Sequence, residues 1–290
     1  MRFVLLLLTY VIQRRFNMAL GRQLDGWALS LQHWFRHRLP GRASHGWGLF
    51  SAAVVLPVLT TGLVSVLIQD WLFGMAHLFL QLFILFLALG SPLQKEQFNA
   101  YLDAWRAQNY EAAYRYARDI GYVPDAPLKD EAQLHWLVWR AFLEQTFSRY
   151  FSVFFWFMAL GAVGALATRL VNHAAHSGQT ESLRAVAARV DHLVQWIPSR
   201  LLALTFALVG NFVEAVRNSL NEMIDPSGAS SRVLQQAAAG ALGMRGIPEQ
   251  GKVEFQDKDA QSLLSLRDLL NRSVLVWFMV LAALVLAGAW

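Results

Sequence analysis

Four stretches of this chain run for close to twenty residues without a charge: Trp47 to Ile68, Trp71 to Gly90, Tyr150 to Thr168 and Ser273 to Trp290. Each approaches the ~20 residues that a helix needs to cross a hydrocarbon core. No water is available there to satisfy backbone groups, so runs of this length are expected to be helices. Only Gln69 and Asp70 separate the first two, which predicts a tight helical hairpin. Phe3 to Ile12 is apolar but too short to span. Gln13-Arg14-Arg15 follows it without a small-residue cleavage site, so it reads as a retained helix packed on the others.

Other segments alternate apolar and polar positions at helical spacing. "FNAYLDAWRAQNYEAAYRYARDIG" shows apolar residues three and four apart, with Gly121 placed to end a helix. "ESLRAVAARVDHLVQW" puts Leu183, Val186, Val190, Leu193 and Val194 on one face, as in a helix lying at a membrane interface. The apolar run 196–213 follows directly. Pro198 suits the first turn of a new helix, which predicts a break there, with Arg200 in that first turn. The helix dipole disfavours a cation at that end, so Arg200 calls for an anionic partner: Asp191, Glu144 or a ligand.

Charge then orients the chain. Residues 13–46 carry Arg14, Arg15, Arg22, Arg36, Arg38 and Arg42 against one acid, Asp25, which places this stretch in the cytoplasm. Residues 91–148 and 214–272 follow as cytoplasmic helical segments if 150–168 crosses outward and 196–213 crosses back. A re-entrant 196–213 flips the last segment instead. The net charge of +5 lies beside apolar runs, which fits membrane topology and disfavours a nucleic-acid-binding module. Charged residues make up 16% of the 290, against about 25% in soluble domains. The chain contains no cysteine, which excludes disulfides, thiolate nucleophiles and Cys-based metal sites.

Charges at the ends of apolar runs are candidate functional groups, because an ionisable group at membrane depth is costly and usually faces a partner in the bundle interior. Glu144, Arg149, Arg169, Asp191 and Arg200 meet that description. For the arginines the competing reading is snorkelling to the headgroups. Asp191 is too short for that, and Glu144 has a plainly cytoplasmic alternative. "GIPEQGKV" (246–253) nearly fits a phosphate loop, but Val253 stands where a magnesium-binding hydroxyl is needed and Pro248 removes a backbone donor. It reads as a polar turn, and the case for bound ATP and magnesium is correspondingly thin; no other cofactor is indicated. His33 and His37 have the spacing of zinc ligands on a helix but lack a third, and read instead as part of an interfacial helix with Trp34 and Phe35 toward lipid. His173 and His176 read the same way. Small residues at Gly161, Gly164, Ala165 and Thr168 mark a close helix contact.

"VDHLVQWIPSRLLALTFALVG" resembles the D-D-x-x-x-x-x-P-A-R-L-T-A segment of the CobD/CbiB family of membrane cobamide-pathway enzymes, and of the related AmpE proteins. "EQTFSRYFSVFFWFMALGAVGALATRLVNH" is similar to the enzymes' E-N-x-S-D-G-x-x-A-P-L-F-W and G-A-x-x-Y-K-x-x-N-T segments. Glu144, Phe155, Trp156, Gly164, Ala165 and Asn172 keep the pattern, and Arg169 replaces a lysine. "DPSGASSRVLQQAAAGALGMR" is similar to S-P-N-A-G-W-P-E-A-A-M-A-G-A-L-G. Departures accompany these matches. Asn-Ala-Gly and Trp-Pro-Glu are absent around 227–233, Gln145 and Ser148 replace an Asn and an acid, and no acid follows Asn172. An enzyme joining an amine to a carboxylate needs such polar groups, so their loss points away from the cobamide reaction. The N-terminal segment and the length resemble AmpE.

The expectation is therefore an all-α, polytopic integral membrane helical bundle with helical cytoplasmic segments, one domain over 1–290, with roughly four to six embedded helices. The AmpE resemblance implies a bacterial inner-membrane, non-enzymatic regulator of β-lactamase induction and peptidoglycan recycling, linked to the AmpD amidase. Its expected partners are the lipid bilayer and a muropeptide or other small anionic ligand, with no nucleic acid. The alternative is an ATP-dependent amide-forming enzyme of the cobamide (adenosylcobinamide-phosphate synthase) type, and a second alternative is a small-molecule carrier. Glu144, Arg149, Arg169, Asn172, Asp191 and Arg200 are the expected ligand-binding or functional polar residues.

Overall fold

A computed structural model describes residues 2–16, 21–38, 46–69, 74–89, 93–123, 131–225, 228–244 and 260–288. Every regular element among these is helical. In chain order they are α1 (Arg2–Phe16), α2 (Gly21–Arg38), α3 (Trp47–Phe50), α4 (Leu56–Leu67), α5 (Met75–Ala88), α6 (Leu93–Arg106) and α7 (Tyr110–Asp119). They continue as α8 (Glu131–Thr146), α9 (Ser152–Leu160), α10 (Ala162–Ser177), α11 (Glu181–Val209), α12 (Phe212–Ile224), α13 (Ser230–Ala241) and α14 (Ala260–Leu286). Three helices have the length and apolarity to cross a membrane: Trp47–Leu67, in which the π-turn Ser51–Val55 joins α3 to α4, then α11 and α14. Each turns large apolar side chains outward. On α11 Leu193, Ile197, Leu201, Leu204 and Leu208 form one exposed stripe three and four residues apart, as expected of a lipid-facing surface.

The chain folds as two compact units. The first comprises Met1–Pro92 and Ser148–Trp196. Its core joins Leu24 and Ala28 of α2, Leu49 and Phe50 of α3, Val54 of the π-turn, Leu166 and Leu170 of α10, and Leu183 and Val186 of α11. Leu6, Thr9 and Gln13 of α1 are buried, as expected of a packed N-terminal helix. Both ends of α1 are tied to helix C-termini. Arg2 Nη1 donates to the Met158 and Ala159 carbonyls near the end of α9, at 3.2 and 3.3 Å. Gln13 Nε2 donates to the Phe86 and Leu89 carbonyls at the end of α5, at 3.2 and 3.1 Å. Each satisfies carbonyls that the helix itself leaves open.

Two sequence expectations fail in this unit for identifiable reasons. The run 150–168 is not one span. Gly161 adopts φ 70°, a left-handed conformation that breaks the run into α9 and α10. A Cβ on Gly164 would stand 2.3 Å from the Trp156 carbonyl oxygen, so the small residues serve this tight turn-back. The predicted break at Pro198 is also absent, and α11 runs through it for 29 residues. Proline removes the amide that would bond to the Val194 carbonyl. The Trp156 indole N–H occupies that carbonyl instead, at 2.9 Å, so the helix continues with its lost bond replaced from α9. Within the run Trp71 to Gly90 the described helix is α5, Met75–Ala88, and residues 71–73 and 90 lie outside the described residues.

The second unit comprises Leu93–Phe147 and Ile197–Trp290. α7 ends at Gly121 as predicted, with Tyr122 N–H on the Ala117 carbonyl at 2.9 Å and Gly121 N–H on Arg118 at 2.8 Å. α12 and α13 form a close hairpin. A Cβ on Gly240 would lie 2.5 Å from the Glu214 carbonyl oxygen, so only glycine lets the two backbones meet. The last apolar run enters a helix that starts earlier, α14, which spans Ala260–Leu286.

Candidate functional site

In the first unit, α10 presents Arg169, Asn172, His173 and His176 at i, i+3, i+4 and i+7, which puts all four on one face. Arg169 is only 5% exposed. Its Nη2 donates to both carboxylate oxygens of Asp25 on α2, at 2.7 and 2.8 Å. His173 Nε2 donates to the Asp25 backbone carbonyl at 3.2 Å. Burial holds the His173 imidazole below its ordinary pKa; the Asp25 carboxylate opposes that effect, while Arg169 and His176 reinforce it. His176 Nδ1 donates to the Asn172 carbonyl at 2.9 Å.

On α11, Asp191 is 8% exposed and its Oδ2 accepts from Gln195 Nε2 at 2.6 Å. Asn172, His176 and His192 surround it. The Asn172 amide lies beside the Asp191 carboxylate, yet Asp191 Oδ1, Asn172 Nδ2 and Arg169 Nε are buried without a hydrogen bond of good geometry. Native interiors rarely leave such groups unmet, and each instance needs an explanation. Here Asn172 and Asp191 meet each other only in part across two helices, and Arg169 Nε is the donor left open. The arrangement suits a ligand carrying an N–H or ammonium group together with an oxygen acceptor.

The other sequence candidates fall elsewhere. Arg149 is half-buried in the π-turn Phe147–Phe151. In the second unit, Glu144 Oε1 accepts from Arg140 Nε at 3.0 Å and from Gln235 Nε2 of α13 at 2.8 Å. Arg200 is buried and donates from Nε to the Met223 carbonyl at 3.2 Å and from Nη2 to the Asp225 carbonyl at 2.9 Å. These carbonyls end α12, where the helix dipole is negative. Arg200 is therefore met by a helix C-terminus together with the Asp225 carboxylate beside it, whereas Asp191 is engaged by Gln195. Sequence reasoning missed Asp25, Gln195 and Gln235. Asp25 carried a signal, as the lone acid in a basic stretch.

No group of three metal-ligating side chains gathers among the described residues. His33 and His37 place their Nε2 atoms 3.2 Å apart without a third ligand. Trp27 and Trp34 of α2 point outward, whereas Phe35 packs against the core. That corrects the expected lipid-facing pair of Trp34 and Phe35. The phosphate-loop-like segment 246–253 lies outside the described residues.

A protein-family model described as CobD/Cbib protein matches residues 22–247. The chain is 28% identical over 298 residues to the cobalamin biosynthesis protein CobD of Stutzerimonas stutzeri (strain A1501), covering 96% of this chain and 88% of that protein. It is 31% identical over 120 residues to the protein of the same name from Chromobacterium violaceum, covering 40% of this chain and 38% of that protein. No solved structure matches it. These matches overturn the expectation of a non-enzymatic, AmpE-like regulator of β-lactamase induction and peptidoglycan recycling. The absent motifs misled because their joint loss was taken as a loss of the chemistry. Glu144 keeps its place and meets the Gln235 amide, Asn172 and Asp191 stand beside each other, and Arg169 keeps a cation where the pattern has a lysine.

Proposed function

The chain belongs to the CobD/Cbib protein family, and on that premise we propose that it is a membrane enzyme of cobalamin biosynthesis, joining an amine to a carboxylate as an amide. The proposed location is the bacterial inner membrane. The single observation that carries the reading is the buried polar cluster of Arg169, Asn172 and Asp191, whose Nε, Nδ2 and Oδ1 atoms make no hydrogen bond of good geometry. They lie in segments that resemble the family's own motifs and within the matched region.

The roles follow from chemistry. Amide formation joins the amine nitrogen to the acyl carbon, breaks the bond from that carbon to its leaving oxygen, and releases a proton from nitrogen. Asp191 Oδ1 is the acceptor that takes that proton. Asn172 Nδ2 and Arg169 Nε are the donors that orient the substrate's oxygens. Asp25 positions Arg169 by occupying its Nη2. The family resemblance implies ATP as the source of carboxyl activation. The described residues supply no group of three metal-ligating side chains to receive magnesium.

The test is amide synthesis by the purified, membrane-reconstituted protein from a corrinoid acid, an amino alcohol phosphate and ATP, followed by mass spectrometry. The expected result is the amide from the native chain and a severe loss with Asp191→Asn. A native chain that forms no amide under conditions where a cobalamin-pathway relative does would refute the reading.

A further inference from the structure

The outward face of α2 is unlike the rest of the first unit. Trp27, Ser30, Trp34 and His37 follow one another at three- and four-residue spacing, and all are exposed. Trp27 and Trp34 leave about half of their surface open, at 46% and 51%. The helix ends in Arg36, His37 and Arg38, and the Arg38 guanidinium sits 5.2 Å over the Trp34 ring. The acid on α2, Asp25, is held by Arg169, so it does not offset the basic end. The opposite face is anchored by Leu24 and Ala28 in the core shared with Leu49, Phe50 and Val54, at the Trp47 end of the apolar helix Trp47–Leu67. Trp47 is itself exposed. An apolar helix that starts beside α2 sets α2 at the level where hydrocarbon gives way to headgroups.

We infer that α2 lies in the membrane interface and docks on acidic lipid headgroups through Arg36 and Arg38, with Trp27 and Trp34 seated in the boundary layer. Tryptophan favours that layer because its ring is apolar and its N–H is wet. Tryptophan alone would make α2 indifferent to headgroup charge. The basic last turn adds a preference for acidic lipid, worth about fivefold in binding for each arginine. The inference stands apart from the proposed reaction, since the Trp27–Trp34 stripe is turned away from Arg169 and Arg36 and Arg38 lie about three turns beyond Asp25 at the helix end.

The native chain has no cysteine, so Ser30→Cys creates a unique labelling site on the tryptophan stripe. The full-length Ser30→Cys protein, carrying a nitroxide, is placed in nanodiscs of phosphatidylcholine alone or mixed with phosphatidylglycerol. Collision with oxygen and with a water-soluble nickel chelate then reports label depth. The expected result is a label at interfacial depth that becomes deeper and less mobile with phosphatidylglycerol. That response should be lost with Arg36→Gln plus Arg38→Gln, whose exposed side chains leave the unfolding temperature unchanged. Three outcomes would each overturn the inference: a label in bulk water in both lipids, a depth indifferent to phosphatidylglycerol, or the same response evoked by inorganic phosphate alone. A label shielded from both collision partners would mean that a protein covers α2, and would overturn it equally.

Discussion

The two units each bury an arginine that the sequence singles out, and they use it differently. In the first unit Arg169 binds the Asp25 side chain through one nitrogen and leaves Nε open. Nearby, Asn172 and Asp191 meet each other only in part. In the second unit Arg200 is directed onto the carbonyls that end α12. Glu144 is likewise engaged by Arg140 and Gln235, and the His135 ring nitrogens meet Ser262 Oγ at 2.8 Å and Tyr101 OH at 3.4 Å. A buried charge marks a site only when its bonding capacity is left partly unspent. When that capacity is taken up by helix ends and neighbouring side chains, the charge belongs to the architecture.

Changes in the first unit should therefore act on turnover, and changes in the second on stability. The largest effect is expected from Asp191→Asn. Turnover should fall about 10³-fold, or about 4 kcal/mol in the barrier. The unfolding temperature should stay near that of the native protein, because Gln195 still has an oxygen to bind. A variant that retains full turnover would break the comparison at its strongest point.

His135 gives the next effect, in the second unit. Burial lowers its pKa to about 4 from an ordinary 6.5. Between those values the unfolded chain holds a proton that the folded chain does not, so stability rises with pH across the window. The contribution is fully present above pH 6.5 and is lost as pH falls toward 4, by about 3 kcal/mol in total. Denaturant unfolding at a series of pH values measures it, and His135→Gln should flatten the slope. A native protein with equal stability across that range would show that His135 does not titrate as its burial dictates.

Arg200→Met should follow. Losing charged donors to two carbonyls at the end of α12 should cost about 2 kcal/mol of stability, with turnover per folded molecule unchanged. Normal stability with lost turnover would move Arg200 from architecture to site. The smallest effect is expected for Gln235→Leu, about 1 kcal/mol, read as a modest drop in unfolding temperature. A large loss of turnover in that variant would make Glu144 and Gln235 a second functional locus.

The apolar helices were legible because twenty uncharged residues leave a chain few other options. What the sequence could not show were the bonds that rescue a local rule. Pro198 looked like a break because the donor that replaces its missing amide, the Trp156 indole, lies 38 positions from the carbonyl it serves. Gly161 looked like a packing residue because its left-handed φ is a property of the folded turn. Arg169, Asn172 and Asp191 were legible as charges or motif positions. Asp25 was not chosen: its one local signal is that it stands alone among arginines, and its partner lies 144 positions away. Arg200 was given an anionic partner because a helix was expected to begin at Pro198; α11 runs through Pro198, and the buried cation is met instead by the carbonyls that end α12 and by Asp225 beside them.

The first unit is assembled from two pieces of chain, Met1–Pro92 and Ser148–Trp196, and this imposes an order on synthesis. Asp25 leaves the ribosome long before Arg169 exists. The Met158 and Ala159 carbonyls that Arg2 will bind, and the Leu166 and Leu170 side chains that cover α2, are likewise not yet made. The nascent N-terminal helices must therefore wait through the synthesis of residues 93–147 with their polar groups and core face unmatched. A chain released before residue 170 should be a substrate for quality-control proteolysis, and one released after Trp196 should be able to close the unit.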